Sequence, residues 1–212
     1  MNSILFQYML FSVLATACAI TSTSDCLTSH ERFLQEQHEI FSDAERSPLL
    51  EKDREGFQSI NYYPYDAKYC VRARWVRTED ELPFEMPTST ERRPMYIKYG
   101  ELHFDVDGEQ LVLSAYQNIE LSKDSEWENY LFIPFNDLTN GETTYGGGRY
   151  LDFEIPETEW ITLNLNNTYH PLCSYDHRYS CPIPPEENML DVRIEAGVKS
   201  GINGRPADNS EH

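Results

Sequence analysis

The chain has 212 residues, with 17 Lys and Arg against 36 Asp and Glu, and a formal net charge of −19. That length suits one domain, or a domain with tails, and supports a sizeable core, while 14 Tyr, 10 Phe and 3 Trp supply the large, rigid burial that disordered chains lack. The charge argues against nucleic acid and anionic membrane surfaces as partners, because affinity for phosphates comes mainly from Lys and Arg.

From Ile4 to Leu14 the chain reads ILFQYMLFSVL, and small residues follow at Ala15, Ala17 and Ala19. A spanning helix needs about 20 apolar residues, so residues 1–19 read as a secretory or lipoprotein signal. Two small-x-small cleavage sites overlap, Ala15-Thr16-Ala17 and Ala17-Cys18-Ala19, and Cys18 also permits a lipobox in which it is the acylated residue. The lipobox is imperfect, with Ala15 where Leu is usual and no Lys or Arg in the preceding residues. Cell-envelope or secreted localisation follows, with membrane attachment only through a lipid on Cys18. Cleavage or acylation of Cys18 leaves Cys26, Cys70, Cys173 and Cys181 in the mature chain. An oxidising compartment favours disulfides. The eight-residue spacing favours Cys173–Cys181, and Cys26–Cys70 follows by elimination.

Residues 20–46 read as a spacer and a helix. Thr28-Ser29-His30-Glu31 forms a capping box, and Leu27, Phe33, Leu34, Ile40 and Phe41 make one apolar stripe. Ser47-Pro48 ends the helical region. Residues 47–197 then alternate in strands. Val71, Ala73 and Trp75 define one; Met95 to Tyr99 and Leu102 to Val106 define two more. Asp107-Gly108 is a two-residue hairpin turn into Leu111 to Tyr116. Tyr130 to Phe135, Tyr150 to Ile155, Ile161 to Leu165 and Leu190 to Ile194 complete about eight strands. Periodicity fades after Gly197, so residues 198–212 read as a disordered tail. The fold expected is mainly β, an antiparallel β-sandwich or partly closed barrel with the N-terminal helix packed on it.

Two stretches carry the candidate chemistry. The first runs from Pro134 to Asp152 and includes Asp137, Thr139, Tyr145, Gly146, Gly147, Gly148 and Arg149. Three glycines uncover backbone N–H groups and Arg149 adds a cation, the makings of an anion-binding nest. The competing reading is a sharp corner where another backbone passes close, with Arg149 paired to Asp137 or Asp152. The second stretch runs from Asn164 through Asn166, Tyr169, His170, Cys173, His177 and Cys181 to Asn188. His170, Cys173, His177 and Cys181 are a zinc-type ligand set, but export favours a disulfide, so no metal and no cofactor is expected. Asn166-Asn167-Thr168 is a glycosylation sequon. No G-x-S-x-G, H-E-x-x-H or Walker motif occurs, and choosing an acid and base pair from so many carboxylates is arbitrary. Whether the protein is an enzyme is left open.

At these two stretches the chain resembles a family known mainly from bacteria, domain of unknown function 1684, whose Pro-Phe-x-Asp-x-Thr-x-Gly turn and Thr-Tyr-Gly-Gly-Gly-Arg-Tyr-Leu-Asp run are matched from Pro134 to Asp152. The resemblance extends over Ser47-Pro48, Tyr62 to Asp66, Tyr99-Gly100, Asn166, Tyr169, Pro171, Cys173, Cys181, Pro182, Pro185 and Asn188. Asn164 stands where the family usually has Asp, and His170 where it usually has Asn, so His170 is no family-wide metal ligand. The resemblance implies a shared fold and pocket but no activity.

The resulting expectation is an exported or lipid-anchored β-domain that binds a small polar or anionic ligand, or a protein partner. Its expected site is the Gly-rich turn, with Asp137, Thr139, Tyr145, Gly146, Gly147, Gly148, Arg149, Asp152, Asn166 and Tyr169. The alternative is a hydrolase-like enzyme using Asp137, Asp152 and Tyr145. A purely structural envelope protein would need no pocket.

Overall fold

A computed structural model describes residues 20–204, with side chains from Asp25. The readings on residues 1–19, including Cys18 as a lipidation site, and on residues 205–212 lie outside the described residues. Among the described residues, no helix is long and apolar enough to cross a membrane.

The fold is mainly β, with two antiparallel sheets, the larger a curled half-barrel, and a long N-terminal helix. Helix α1 (Ile20–Ser42) begins earlier than the Thr28 capping box predicts. Its buried stripe is also rotated, with Cys26, His30 and Phe41 buried and Leu27 turned outward. The Cys26–Cys70 disulfide and the polar contacts of His30 fix that rotation, whereas hydropathy alone chose Leu27. A short α2 (Glu51–Arg54) follows Pro48. Strands β2 (Cys70–Arg77), β4 (Met95–Val106), β5 (Glu109–Asn118), β6 (Tyr130–Phe135), β7 (Arg149–Glu154) and β8 (Trp160–Asn164) form the large sheet in the order β7-β6-β5-β4-β2-β8. A two-residue β3 (Phe84–Glu85) pairs beside β4.

The two segments read separately on either side of Gly100 are one twelve-residue strand, β4, whose register shifts between Lys98 and Gly100. The bend puts the Trp75 ring where a Cβ on residue 100 would stand, so only glycine fits. The hairpin turn is as read: Asp107 and Gly108 have φ of 54° and 89°, the pair of positive values that matches the twist of flanking strands. Curling brings Leu151 of β7 and Leu163 of β8, on opposite edges of the sheet, into one core with Ala73, Leu102, Phe104, Leu113 and Ile133.

The smaller sheet corrects the tail reading. Strand β9 (Val198–Ile202) pairs with β1 (Ile60–Tyr62), and Val198 is buried with Phe41, Leu49 and Ile60. The Leu190 to Ile194 segment buries Leu190 and Ile194 as its alternation predicts, yet it is no ladder strand. Its contacts run instead to the loop after β6: Leu138 N–H donates to Val192 O at 3.0 Å, and Ile194 N–H to Asp137 Oδ2 at 2.7 Å.

Candidate functional site

Half of the predicted site residues, Asp137, Thr139, Gly148, Arg149 and Asn166, are buried. Arg149 is fully buried and forms an ion pair with Asp137 at 2.8 Å. It also donates to Ile194 O at 2.8 Å and Ala196 O at 2.5 Å. Asp137 further accepts from the Thr139 N–H at 3.2 Å and hydroxyl at 2.6 Å. Burial lowers the pKa of the Arg149 guanidinium while Asp137 opposes that shift, and a guanidinium stays charged under these conditions. With its head group enclosed, Arg149 has no surface from which to reach a ligand, and neither do Asp137 and Thr139.

Asn166 is likewise fully buried. Its side chain clasps the Asp66 backbone, accepting from N–H at 3.1 Å and donating to C=O at 3.0 Å. That engagement removes it both as a ligand contact and as a glycosylation acceptor in the folded chain. Asn188, part of the same residue series, bridges β5 and β6 below their single paired position, Tyr116 with Phe132. Its amide bonds Ser114 N–H at 2.8 Å, Ser114 O at 2.9 Å and Pro134 O at 2.7 Å.

The Gly-rich turn is a packing corner. Gly148 has φ of 96°, and a Cβ there would lie 2.7 Å from Asn136 Oδ1 and Pro184 Cγ and 2.8 Å from Phe135 O. Gly146 and Gly147 are exposed, and the Tyr145 ring lies over Gly147. Tyr145 sends its N–H to His170 Nε2 at 3.1 Å. Burial carries His170 down to about 3, so it is a neutral acceptor. With His170 so engaged and His177 exposed, the four residues of the zinc reading do not converge, and the described residues contain no cluster of three or more metal-ligating side chains.

Two predicted residues do meet in a cleft. Tyr150 exchanges backbone hydrogen bonds with Tyr169 at 2.8 and 3.0 Å, which sets Tyr169 beside β7. Asp152 pairs with Phe132 and Tyr130 with Glu154, so Tyr130 is the diagonal neighbour of Asp152 across the β6–β7 ladder. Both phenols therefore reach the same oxygen: Tyr130 and Tyr169 each donate to Asp152 Oδ1 at 2.6 Å. Oδ2 has no partner among the described residues. Asp152 keeps solvent access, yet it sits deep enough among protein atoms that burial raises its pKa, with the two phenol bonds opposing the shift. Burial and the adjacent carboxylate also raise both tyrosines, which hold their protons and act as donors.

The cleft is about 410 Å³ and lies where the half-barrel fails to close. Leu151, Asp152 and Phe153 come from β7, Thr162, Leu163 and Asn164 from β8, and α1 roofs the gap with Ser29, Arg32, Phe33, Glu36 and Gln37. Because Tyr150 directs its backbone groups to the seam, the period of two turns those of Asp152 and Glu154 the same way, and among the described residues β7 pairs with no strand but β6. The roof is fastened at three points. Cys26 is bonded to Cys70, Asn164 Nδ2 donates to Cys26 O at 3.0 Å, and Asn167 holds His30 at 3.1 Å and Ser29 at 3.2 Å. Asn164 thus serves the roof. Tyr130, Arg32 and Glu36 are the residues that sequence reading missed. Tyr130 carries a strand-pairing signal and the other two lie on a polar helix face, so neither pattern points to a site.

Cys173 and Cys181 are free thiols in this structure, unlike the favoured sequence pairing, although the Cys173 N–H lies 3.1 Å from Cys181 Sγ.

No curated protein matches the chain. Among solved structures, an uncharacterized protein of Haloarcula marismortui, determined by solution NMR, is 33% identical, with a TM-score of 0.67 over 85% of this chain and 97% of that one. The model of the family described as "Protein of unknown function (DUF1684)" matches residues 55–199, which takes in β1 to β8 and the first two residues of β9, and this chain belongs to that family.

Proposed function

We propose that this chain is an exported β-domain, soluble or anchored through Cys18, that binds a small polar ligand in the cleft between α1 and the seam of the half-barrel. One observation carries the reading. Two neutral phenols hold Asp152 Oδ1 and leave Oδ2 unpartnered in a cleft of about 410 Å³, a volume within the range of small-molecule sites. A carboxylate so oriented selects a ligand that presents hydroxyl or ammonium donors. Phe33 and Phe153 give that ligand apolar walls. The ligand moves from the Gly-rich turn to this cleft because Arg149 is enclosed, and the preference for an anion goes with it. The hydrolase-like alternative loses Asp137, which is buried against Arg149. Export is supported by the apolar amino-terminal segment and by the Cys26–Cys70 bond, which an oxidising compartment sustains.

Capture of small metabolites by immobilised protein, read by mass spectrometry, tests the cleft. The expected result is a compound retained by the wild type and lost by Asp152→Ala and Tyr169→Phe, with unfolding midpoints little changed. Retention should also weaken on acidification through the raised Asp152 pKa, since protonation removes the acceptor charge. Identical capture by wild type and Asp152→Ala would overturn the reading. Radiolabelled fatty acid entering the wild type but not Cys18→Ser would assign the anchor, and labelling of neither would assign a soluble product.

A further inference from the structure

The seam cleft leaves one reactive pair unexplained. Cys173 and Cys181 face each other across the loop that follows the Tyr150–Tyr169 bridge, and they are unequal. Cys181 is buried, whereas Cys173 is partly open to solvent. Cys181 is locked in place by backbone contacts with the loop after β3: its N–H donates to Ser89 Oγ at 3.1 Å, and its C=O accepts from the Ser89 N–H at 2.8 Å. Cys173 Sγ instead lies beside the Cys181 thiol and the hydroxyls of Ser89 and Tyr145, and its own N–H is 3.1 Å from Cys181 Sγ.

Those donors have a direct chemical effect. A thiolate accepts hydrogen bonds better than a thiol, so they hold the Cys173 pKa below its ordinary value, the Cys181 thiol contributing most, even though burial pulls the other way. The same interaction pushes Cys181 up and keeps it protonated. One accessible thiolate beside one buried thiol is the division of labour that thiol–disulfide exchange requires. The Gly-rich turn acquires a role here too, because Tyr145 is seated by the His170 acceptor and by the open surface of Gly147.

We propose that Cys173 and Cys181 form a thiol–disulfide exchange site for low-molecular-weight disulfides, with Cys173 as the attacking sulfur and Cys181 as the resolving one. The structure holds the reduced form of the pair. The Cys173 thiolate attacks one sulfur of a disulfide RSSR. A Cys173–SR bond forms, the S–S bond breaks, and RS⁻ leaves and takes a proton from water. Cys181 then gives its proton to water and attacks Cys173 Sγ, expelling the second RS⁻, which is protonated in turn. The pair is oxidised by two electrons to a Cys173–Cys181 disulfide, and RSSR is reduced to two RSH. Partial exposure of Cys173 admits a small disulfide more readily than a folded protein. The site is independent of the ligand cleft, since none of Tyr145, Cys173 and Cys181 lines it.

The test uses the full chain with Cys26–Cys70 intact, the oxidised and reduced forms of glutathione as probes, and mass spectrometry of the trapped protein. Reduced glutathione should open a Cys173–Cys181 bond in the native protein and oxidised glutathione should close it, with two thiols released per chain. Cys181→Ser should stop at a Cys173–glutathione mixed disulfide, and Cys173→Ser should form no adduct on Cys181 at a comparable rate. Tyr145→Phe should shift the pH dependence of the first step to higher pH, as expected when one donor to the thiolate is removed. Should Cys181→Ser fail to fold, alkylation of reduced wild type by iodoacetamide gives the same answer, with Cys173 modified first and with a midpoint below that of free cysteine. A pair that native protein never opens in millimolar glutathione would be a structural disulfide and would overturn the proposal. So would a Cys173 that reacts no faster than free cysteine at pH 7.

Discussion

Arg149→Ala offers the sharpest test of the structural reasoning, because a ligand contact and a buried strut predict opposite outcomes. The side chain is fully buried, and its removal leaves Asp137 without its counter-ion. Breaking a buried pair from one side costs roughly 3 to 5 kcal/mol. Two details move the figure within that range. Asp137 keeps the Ile194 N–H at 2.7 Å and both Thr139 donors, which softens the loss, while the Ile194 and Ala196 carbonyls each lose a charged donor. Arg149 Nε has no partner in the native state, so one part of its desolvation is never recovered and disappears with the residue. The balance is a loss of about 4 kcal/mol, or a fall in Tm of roughly 8 to 16 °C for a domain of this size. Urea unfolding followed by tryptophan fluorescence at pH 7 measures it. The double variant Arg149→Met with Asp137→Leu should lose at least about 2 kcal/mol less than the sum of the single variants. A loss below about 1 kcal/mol for Arg149→Ala, or strict additivity in the double variant, would refute the strut.

His170 should make stability fall on mild acidification. Its pKa is about 3 in the folded chain against roughly 6.5 unfolded, so its contribution is complete above pH 6.5 and declines as pH falls toward 3, reaching a loss of about 2 kcal/mol at pH 5. His170→Asn, with an amide oxygen for the Tyr145 N–H, should flatten the profile between pH 7 and 5, and an unchanged slope in calorimetry would contradict the assignment. Replacing Cys26 and Cys70 together by Ser opens a cross-link between residues 44 apart, which should cost about 4 kcal/mol by the loop-entropy relation; it should also detach α1, seen as proteolysis within residues 20–46. Gly148→Ala should cost about 2 to 4 kcal/mol, since φ is 96° and the new methyl meets Asn136, Pro184 and Phe135. Gly146→Ala has no neighbour nearer than 3.8 Å and should stay within about 0.5 kcal/mol in the same denaturation assay.

Local patterns determined a large part of this protein. Alternation located the strands around Ala73, Leu102, Leu113 and Leu163, because a strand with one buried face must place apolar side chains at every second position. The Asp107-Gly108 pair marked its hairpin, since few residues other than Asn, Asp and Gly tolerate positive φ there. Composition alone was enough for a folded, acidic chain. Everything that depends on long-range pairing was decided only in three dimensions. Val198 to Ile202 carries no alternation and becomes a strand because Ile60 to Tyr62 needs an edge partner. Leu190 to Ile194 alternates and is not a strand, because its backbone groups are taken by the loop at Asn136 to Leu138. Arg149 could be read as an exposed cation beside glycines or as the partner of Asp137 or Asp152, and curling of the sheet decided for the pair by enclosing it with Asp137. Asp152 looked like one carboxylate among many. Its cleft exists only because the two edge strands come near one another without pairing and α1 is tied across the gap. Hydropathy records which face of a strand is buried, but it holds no record of which edge stays open, and that open edge is where the candidate site lies.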